Sequence, residues 1–87
     1  MTARTVYGLE LYERVRFDLM IFQQLRAVET IFLEHREGLV PEEVWMGQWR
    51  GALSILKTEG GRASWGRQKT FVATSFMEWV DGHFDDS

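Results

Sequence analysis

Between Leu9 and Glu37 no proline or glycine interrupts the chain, and over that span apolar residues recur at helical spacing: Leu11, Val15, Leu19, Phe22, Leu25, Val28 and Phe32. Glu10, Glu13, Arg14, Gln23, Gln24, Arg26, Glu34 and Arg36 occupy much of the remaining surface. Gly38 stands where a left-handed helix end is wanted, and Pro41 soon afterwards prevents continuation. The pattern predicts one long helix. At 1.5 Å per residue it spans about 43 Å, and whatever else the chain builds must pack against it.

The segment after Pro41 reads as a second, shorter helix. Proline suits a first turn, and Glu42 and Glu43 complement the positive end of the helix dipole. Val44, Trp45, Trp49, Ala52, Leu53 and Leu56 supply an apolar face running to about Thr58, with Trp45 and Trp49 one turn apart. Gly47 and Gly51 weaken this helix by about 1 kcal/mol each and leave room for another backbone to approach. Gly60-Gly61 is expected to end it. A short helix from Arg62 to about Lys69, anchored by Trp65, follows, and Ser75 and Glu78 have capping-box spacing for a last one. That helix carries Phe76, Met77, Val80 and Phe84 on one stripe, with Trp79 and His83 on its neighbour. The expected fold is therefore all-α. A long helix packs antiparallel against a second and is closed by one or two short helices. The whole of 1–87 forms a single domain, with 1–6 a loose arm and 85–87 a frayed tail.

Hydrophobic residues make up 45% of the 87-residue chain and aromatics 14%, which supplies a core and argues against intrinsic disorder. There is no cysteine, which excludes a disulfide framework, a thiolate zinc site and a cysteine nucleophile. The longest uninterrupted apolar run, Leu19 to Phe22, is far below the roughly 20 residues that cross a bilayer. Thr2, Ala3 and Arg4 lead into no signal-peptide core. A cytoplasmic, soluble protein is the expectation.

No constellation of residues points to catalysis. Ser54, Ser64, Ser75 and Ser87 lie in no Gly-x-Ser-x-Gly turn, and Gly60-Gly61-Arg62 lacks the Lys-Ser/Thr ending of a phosphate loop. His35 among Glu34, Arg36 and Glu37 suits the negative end of the long helix. His83 between Asp81 and Asp85 could hold a metal weakly, but a solvated tail explains it as well. Phe32 and Val80 stand three residues before the two histidines, so the Glu-x-x-His pairs of a diiron bundle are missing. No cofactor or metal is expected.

Two candidate binding features remain. The second helix reaches only about 27 Å, so the N-terminal part of the long helix is left without intramolecular cover. Tyr7, Leu11, Tyr12, Val15, Leu19 and Phe22 form a candidate interface there, and a homo-oligomer, simplest as a dimer, is the expected consequence. Lys57, Arg62, Arg67 and Lys69 against Glu59 make a local charge of +3 beside Trp65, a candidate basic patch for nucleic acid within 57–69. The net charge of −3 and the small size of the patch argue against that use. The function expected from the residues is non-catalytic protein–protein interaction, by self-association, by regulation of a partner, or both. The alternatives are nucleic-acid binding through 57–69 and an enzymatic or metal-binding role without a recognisable motif.

Three stretches taken together also form a pattern. These are Val28-Glu29-Thr30-Ile31-Phe32-Leu33-Glu34-His35-Arg36-Glu37-Gly38-Leu39-Val40, then Glu43-Val44-Trp45 with Gly60-Gly61-Arg62-Ala63-Ser64-Trp65, and Ser75-Phe76-Met77-Glu78-Trp79-Val80-Asp81. Over residues 20–84 this order resembles the C-terminal helical region of a large bacterial family of unknown function, whose members often carry membrane segments ahead of it. The resemblance implies either a soluble stand-alone version or a fragment, and it supplies no activity or cofactor. It implies that Glu29, Gly38, Trp45, Trp65, Phe76 and Val80 belong to a recurring scaffold.

Overall fold

A computed structural model describes the backbone of residues 3–85 and the side chains of residues 10–84. Four α-helices and one short turn of 3-10 helix follow in order: α1 Ala3–Arg36, α2 Glu42–Leu56, α3 Glu59–Gln68, the 3-10 turn Lys69–Phe71, and α4 Thr74–Asp85. No strand occurs among the described residues. None of the helices is long and apolar enough to cross a membrane.

The long helix is one unbroken rod of 34 residues, about 51 Å at 1.5 Å per residue, within a molecule 54 Å in its longest dimension. It begins at Ala3 rather than near Leu9, so residues 3–6 of the expected loose arm are helical. Residues 1–2 lie outside the described part. Asp85 of the expected frayed tail is the last residue of α4, and 86–87 lie outside. α1 ends as its sequence requires. Gly38 takes φ +80°, its amide donates to the His35 carbonyl at 3.0 Å, and the Leu39 amide donates to Glu34 at 2.9 Å. Pro41 then serves as N-cap of α2, its extended backbone aiming its carbonyl at the amides of Val44 and Trp45, each 3.1 Å away.

α2 returns antiparallel along the C-terminal half of α1. Phe32 meets Trp45 near the link, while Ile21 and Leu25 reach Ala52 and Leu56 farther down. The buried face of α2 is Trp45, Trp49, Ala52 and Leu56; Val44, expected on that face, is half exposed. The glycine pair does not end α2. Thr58 caps a new helix, its hydroxyl accepting from the Gly61 amide at 3.0 Å, so both glycines fall in the first turn of α3. Gly61 is there for want of space: a β-carbon would collide with the Ile55 carbonyl and stand 2.9 Å from the Leu56 α-carbon. α3 buries Gly61, Ser64, Trp65 and Gln68 and folds back toward α1.

α4 starts two residues earlier than the Ser75–Glu78 spacing implies. The Ala73 carbonyl accepts from Met77 at 2.9 Å, and the Ala73 amide donates to the Glu29 carboxylate of α1 at 2.6 Å. A buried acid from another helix thus satisfies this N-terminus, a partner that no local spacing could reveal.

The core is the C-terminal half of α1 wrapped by the three later helices. It gathers Ile21, Leu25, Val28 and Phe32 with Trp45, Trp49, Ala52, Leu56, Trp65, Val72, Phe76 and Val80. The single apolar stripe expected on α1 therefore divides. Leu25, Val28 and Phe32 enter the core, joined by Ile21 and partly by Phe17, but Leu11, Val15 and Leu19 do not.

Two of the three glycines of α3 make opposite predictions. Gly61→Ala should destabilise the fold by about 1–3 kcal/mol through overpacking. Gly66→Ala, in open space on the same helix, should stabilise it by up to about 1 kcal/mol. Urea unfolding followed by tryptophan fluorescence checks both, and a Gly61→Ala protein as stable as the parent would contradict the close approach of α3 to α2.

Candidate interaction surface

Successive residues of an α-helix turn by about 100°, which places Phe17, Ile21, Leu25, Val28 and Phe32 on one face of α1 and Leu11, Tyr12, Val15, Leu19 and Phe22 on another, roughly 130° round. The first is core. The second lies open: Leu11 is 57% exposed, Tyr12 60%, Val15 48% and Leu19 57%, with Phe22 half-buried at its lower end. Tyr7 belongs to α1, but its side chain lies outside the described ones. Arg16 and Arg26 lie over the rings of Tyr12 and Phe22 at 5.7 and 5.9 Å.

A residue the sequence reading missed completes this surface. Phe71, on the 3-10 turn after α3, is 66% exposed and faces α1 across a groove of about 430 Å³. Val15, Leu19, Phe22 and Phe71 give the groove apolar walls, and Asp18, Arg67 and Gln68 line the rest. Phe71 stands 49 residues from Phe22 in the chain, so only the return of α3 onto α1 brings the two together.

Polar contacts fix that return. Arg67 donates twice to the Asp18 carboxylate, at 2.9 and 2.7 Å, in a bidentate pair. Beside it the buried Gln68 amide donates to the Asp18 backbone carbonyl at 2.9 Å and to Ser64 Oγ at 2.7 Å. The Arg67 hydrogen bonds hold the Asp18 carboxyl below its usual value, against a smaller opposing effect of burial, and the carboxylate raises Arg67 in return.

The basic segment is taken up in the same way. Arg67 pairs with Asp18, and Lys69 reaches Asp81 at 3.4 Å. Arg62 lies over the Phe84 ring at 5.1 Å, and Lys57 is exposed at the C-cap of α2, where its charge suits the helix dipole. Asp81 also accepts from the Trp65 indole at 2.8 Å, and Trp65 itself is buried. Trp65 of the candidate nucleic-acid patch is thus a core residue, and Arg67 and Lys69 are tied to carboxylates of the same chain.

The histidines also turn inward. His35 Nδ1–H donates to the Val40 carbonyl at 2.8 Å, tying the end of α1 to the link, and its ring stacks on Trp45. His83 is not part of a solvated tail. It lies in α4, with its ring 4.5 Å from Trp79 and 4.9 Å from Trp49, and its Nδ1–H donates to the Trp79 carbonyl at 2.8 Å. Among the described residues no three His, Asp or Glu side chains gather as metal ligands would. The chemistry open to this surface is burial of apolar area beside a neutralised ion pair.

No family model, curated protein or solved structure matches this chain.

The Asp18–Arg67 pair carries a pH signature. A carboxyl held low in the folded protein contributes stability above its unfolded value and loses it as pH falls through the folded one. Asp18→Asn should therefore be less stable than the parent by about 1 kcal/mol at neutral pH, the range of a well-formed surface pair. The gap should begin to close below about pH 4. Urea midpoints of the two proteins measured between pH 7 and pH 2 check this, and a gap that stays constant with pH would contradict the pair.

Proposed function

We propose that this chain is a non-catalytic interaction domain that associates with itself, as a dimer, through the second apolar face of α1. One observation supports the reading above others: a contiguous apolar strip, Leu11–Tyr12–Val15–Leu19–Phe22 with Phe71 beside it, lies open to water on an unbroken helix. The members at least 48% exposed together present on the order of 600 Å² per chain, at the upper end of what a monomer usually leaves open. Two copies bring roughly 1,200 Å² to a shared face, the lower end of the range for stable interfaces.

The protruding half of α1 gives a second reason. Residues 10–16 are all exposed, and the first turn holds no acidic residue to offset the helix dipole. A bare helix of this length is marginal in water, so an arm without neighbours gains much from a second copy. Aromatic residues such as Tyr12 and Phe71 are favoured anchors of such contacts. A regulatory role toward another protein would use the same face, with self-association as its competing state.

Analytical ultracentrifugation tests this. The parent is expected to sediment as a dimer at tens of micromolar, and its helix content should fall on dilution. Leu19→Asp should weaken the dimer at least about thirtyfold, the effect of losing ~2 kcal/mol at an interface centre. Leu39→Asp changes a residue 74% exposed on the link away from this face and should leave association intact. A parent that is strictly monomeric at millimolar concentration would refute the proposal.

A further inference from the structure

The open face of α1 has an internal symmetry. Tyr12, Val15, Leu19 and Phe22 are spaced by three, four and three residues, the alternation of a coiled-coil seam. That spacing reads the same in both directions about residue 17. Resting on the self-association reading, we infer that two copies pair α1 against α1 antiparallel, with the two-fold axis crossing near Phe17, so that Tyr12 of each meets Phe22 of the other and Val15 meets Leu19.

Three features of the surface favour this register. A two-fold axis demands that one patch complement itself, and a palindromic seam does so with every apolar residue facing an apolar residue. The second feature is shape. Each chain offers a bare arm, ending at Leu11 and Tyr12 among the described side chains, and a groove between Phe22 and Phe71. Antiparallel pairing lays the arm of one copy into the groove of the other and buries Phe71 under Tyr12. Parallel pairing would set arm on arm and groove on groove, leaving the grooves with nothing protruding to fill them.

Charge is the third. The antiparallel register carries Asp18 to the crossing point beside its counterpart in the second copy. Two bare carboxylates there would repel, but each is neutralised by its own Arg67. The clamp that returns α3 onto α1 also removes the main electrostatic obstacle to the pairing.

The chain has no cysteine, so introduced thiols report alone. Tyr12→Cys and Phe22→Cys proteins are oxidised separately and as a mixture of two mass-tagged samples. In the antiparallel register like positions stand roughly 15 Å apart along the axis, beyond the ~7 Å limit for a disulfide, whereas positions 12 and 22 are opposite. The mixture is therefore expected to yield at least about fivefold more cross-linked dimer than either protein alone. Should Phe22→Cys disturb folding, a nitroxide on Tyr12→Cys, mixed with isotope-labelled parent, gives a second reading. It should broaden the parent amides near Phe22 and Phe71. Cross-links within Tyr12→Cys alone, or broadening around residue 12, would overturn the antiparallel register and leave self-association standing. A dimer by sedimentation with neither signal would place its contact elsewhere and overturn both, as would the absence of any dimer.

Discussion

Phe32 is the point on which the later helices converge. Its ring lies 5.3 Å from Trp45, 5.4 Å from Phe76 and 5.9 Å from Trp79, so α2 and α4 both register on one residue of α1. Trp79 extends the set to Trp49, and Phe76 to Trp65 of α3 in an edge-to-face pair. Tilted ring pairs of this kind hold geometry as well as area, because edges and faces carry opposite partial charge. Anchoring everything at residue 32 has a cost in reach: the three short helices gather round the C-terminal half of α1 and cannot extend to its beginning.

Buried polar groups then decide which arrangement of those helices is allowed. Glu29 is only 6% exposed, and it pairs with Arg26 on its own helix while capping α4 through the Ala73 amide. Gln68 crosses to a backbone carbonyl in the middle of α1, and Asp81 links α4 to Trp65 and Lys69. Each satisfies a donor or acceptor that would cost on the order of 1–3 kcal/mol if left bare in another packing. Aromatic area alone would permit α3 and α4 to slide. These contacts fix their places, and in doing so they set Phe71 beside Phe22. The packing is not perfect: among the described residues the buried Trp79 indole nitrogen has no hydrogen-bond partner.

The sequence made some of this legible and concealed the rest. The unbroken run, the glycine at 38 and the proline at 41 are local signals with local causes, and α1, its end and the start of α2 follow from them. Trp45 and Trp49 are one turn apart and do stack, 6.0 Å between centroids. The exposure of Leu11, Tyr12, Val15 and Leu19 was legible as a mismatch of lengths. What stayed hidden was tertiary. Gly60-Gly61 looks like a stop until Thr58 is seen capping the next helix and α2 is seen pressing on Gly61. The basic segment looks like a patch until Asp18 and Asp81, distant in the chain, arrive beside it. His83 looks like a tail residue until Trp49 and Trp79 enclose it. Phe71 carried no signal of its own, since its neighbour Phe22 belongs to a different helix.

The reading of α1 as one apolar stripe also failed for an instructive reason. At about 100° per residue, a step of four turns the helix face forward by about 40° and a step of three turns it back by about 60°. The three successive steps of three from Leu19 through Phe22 and Leu25 to Val28 therefore carry the list from one face to the other. Leu11, Val15 and Leu19 continue the list that ends in Phe32, yet they point away from it. A helix with one apolar face needs one partner surface; a helix with two needs two. Here the later helices cover the first face and, among the described residues, leave Leu11, Tyr12, Val15 and Leu19 of the second exposed. The second face is concentrated where α1 stands alone, and it overlaps the core face only near Phe17 to Phe22. On the proposed reading, that division would link assembly to the fold, because the groove exists only where Phe71 and Arg67 are returned to α1. In the proposed dimer, association would thereby be reserved for folded chains, whose surface differs from that of an isolated α1 at the place where a second arm would rest.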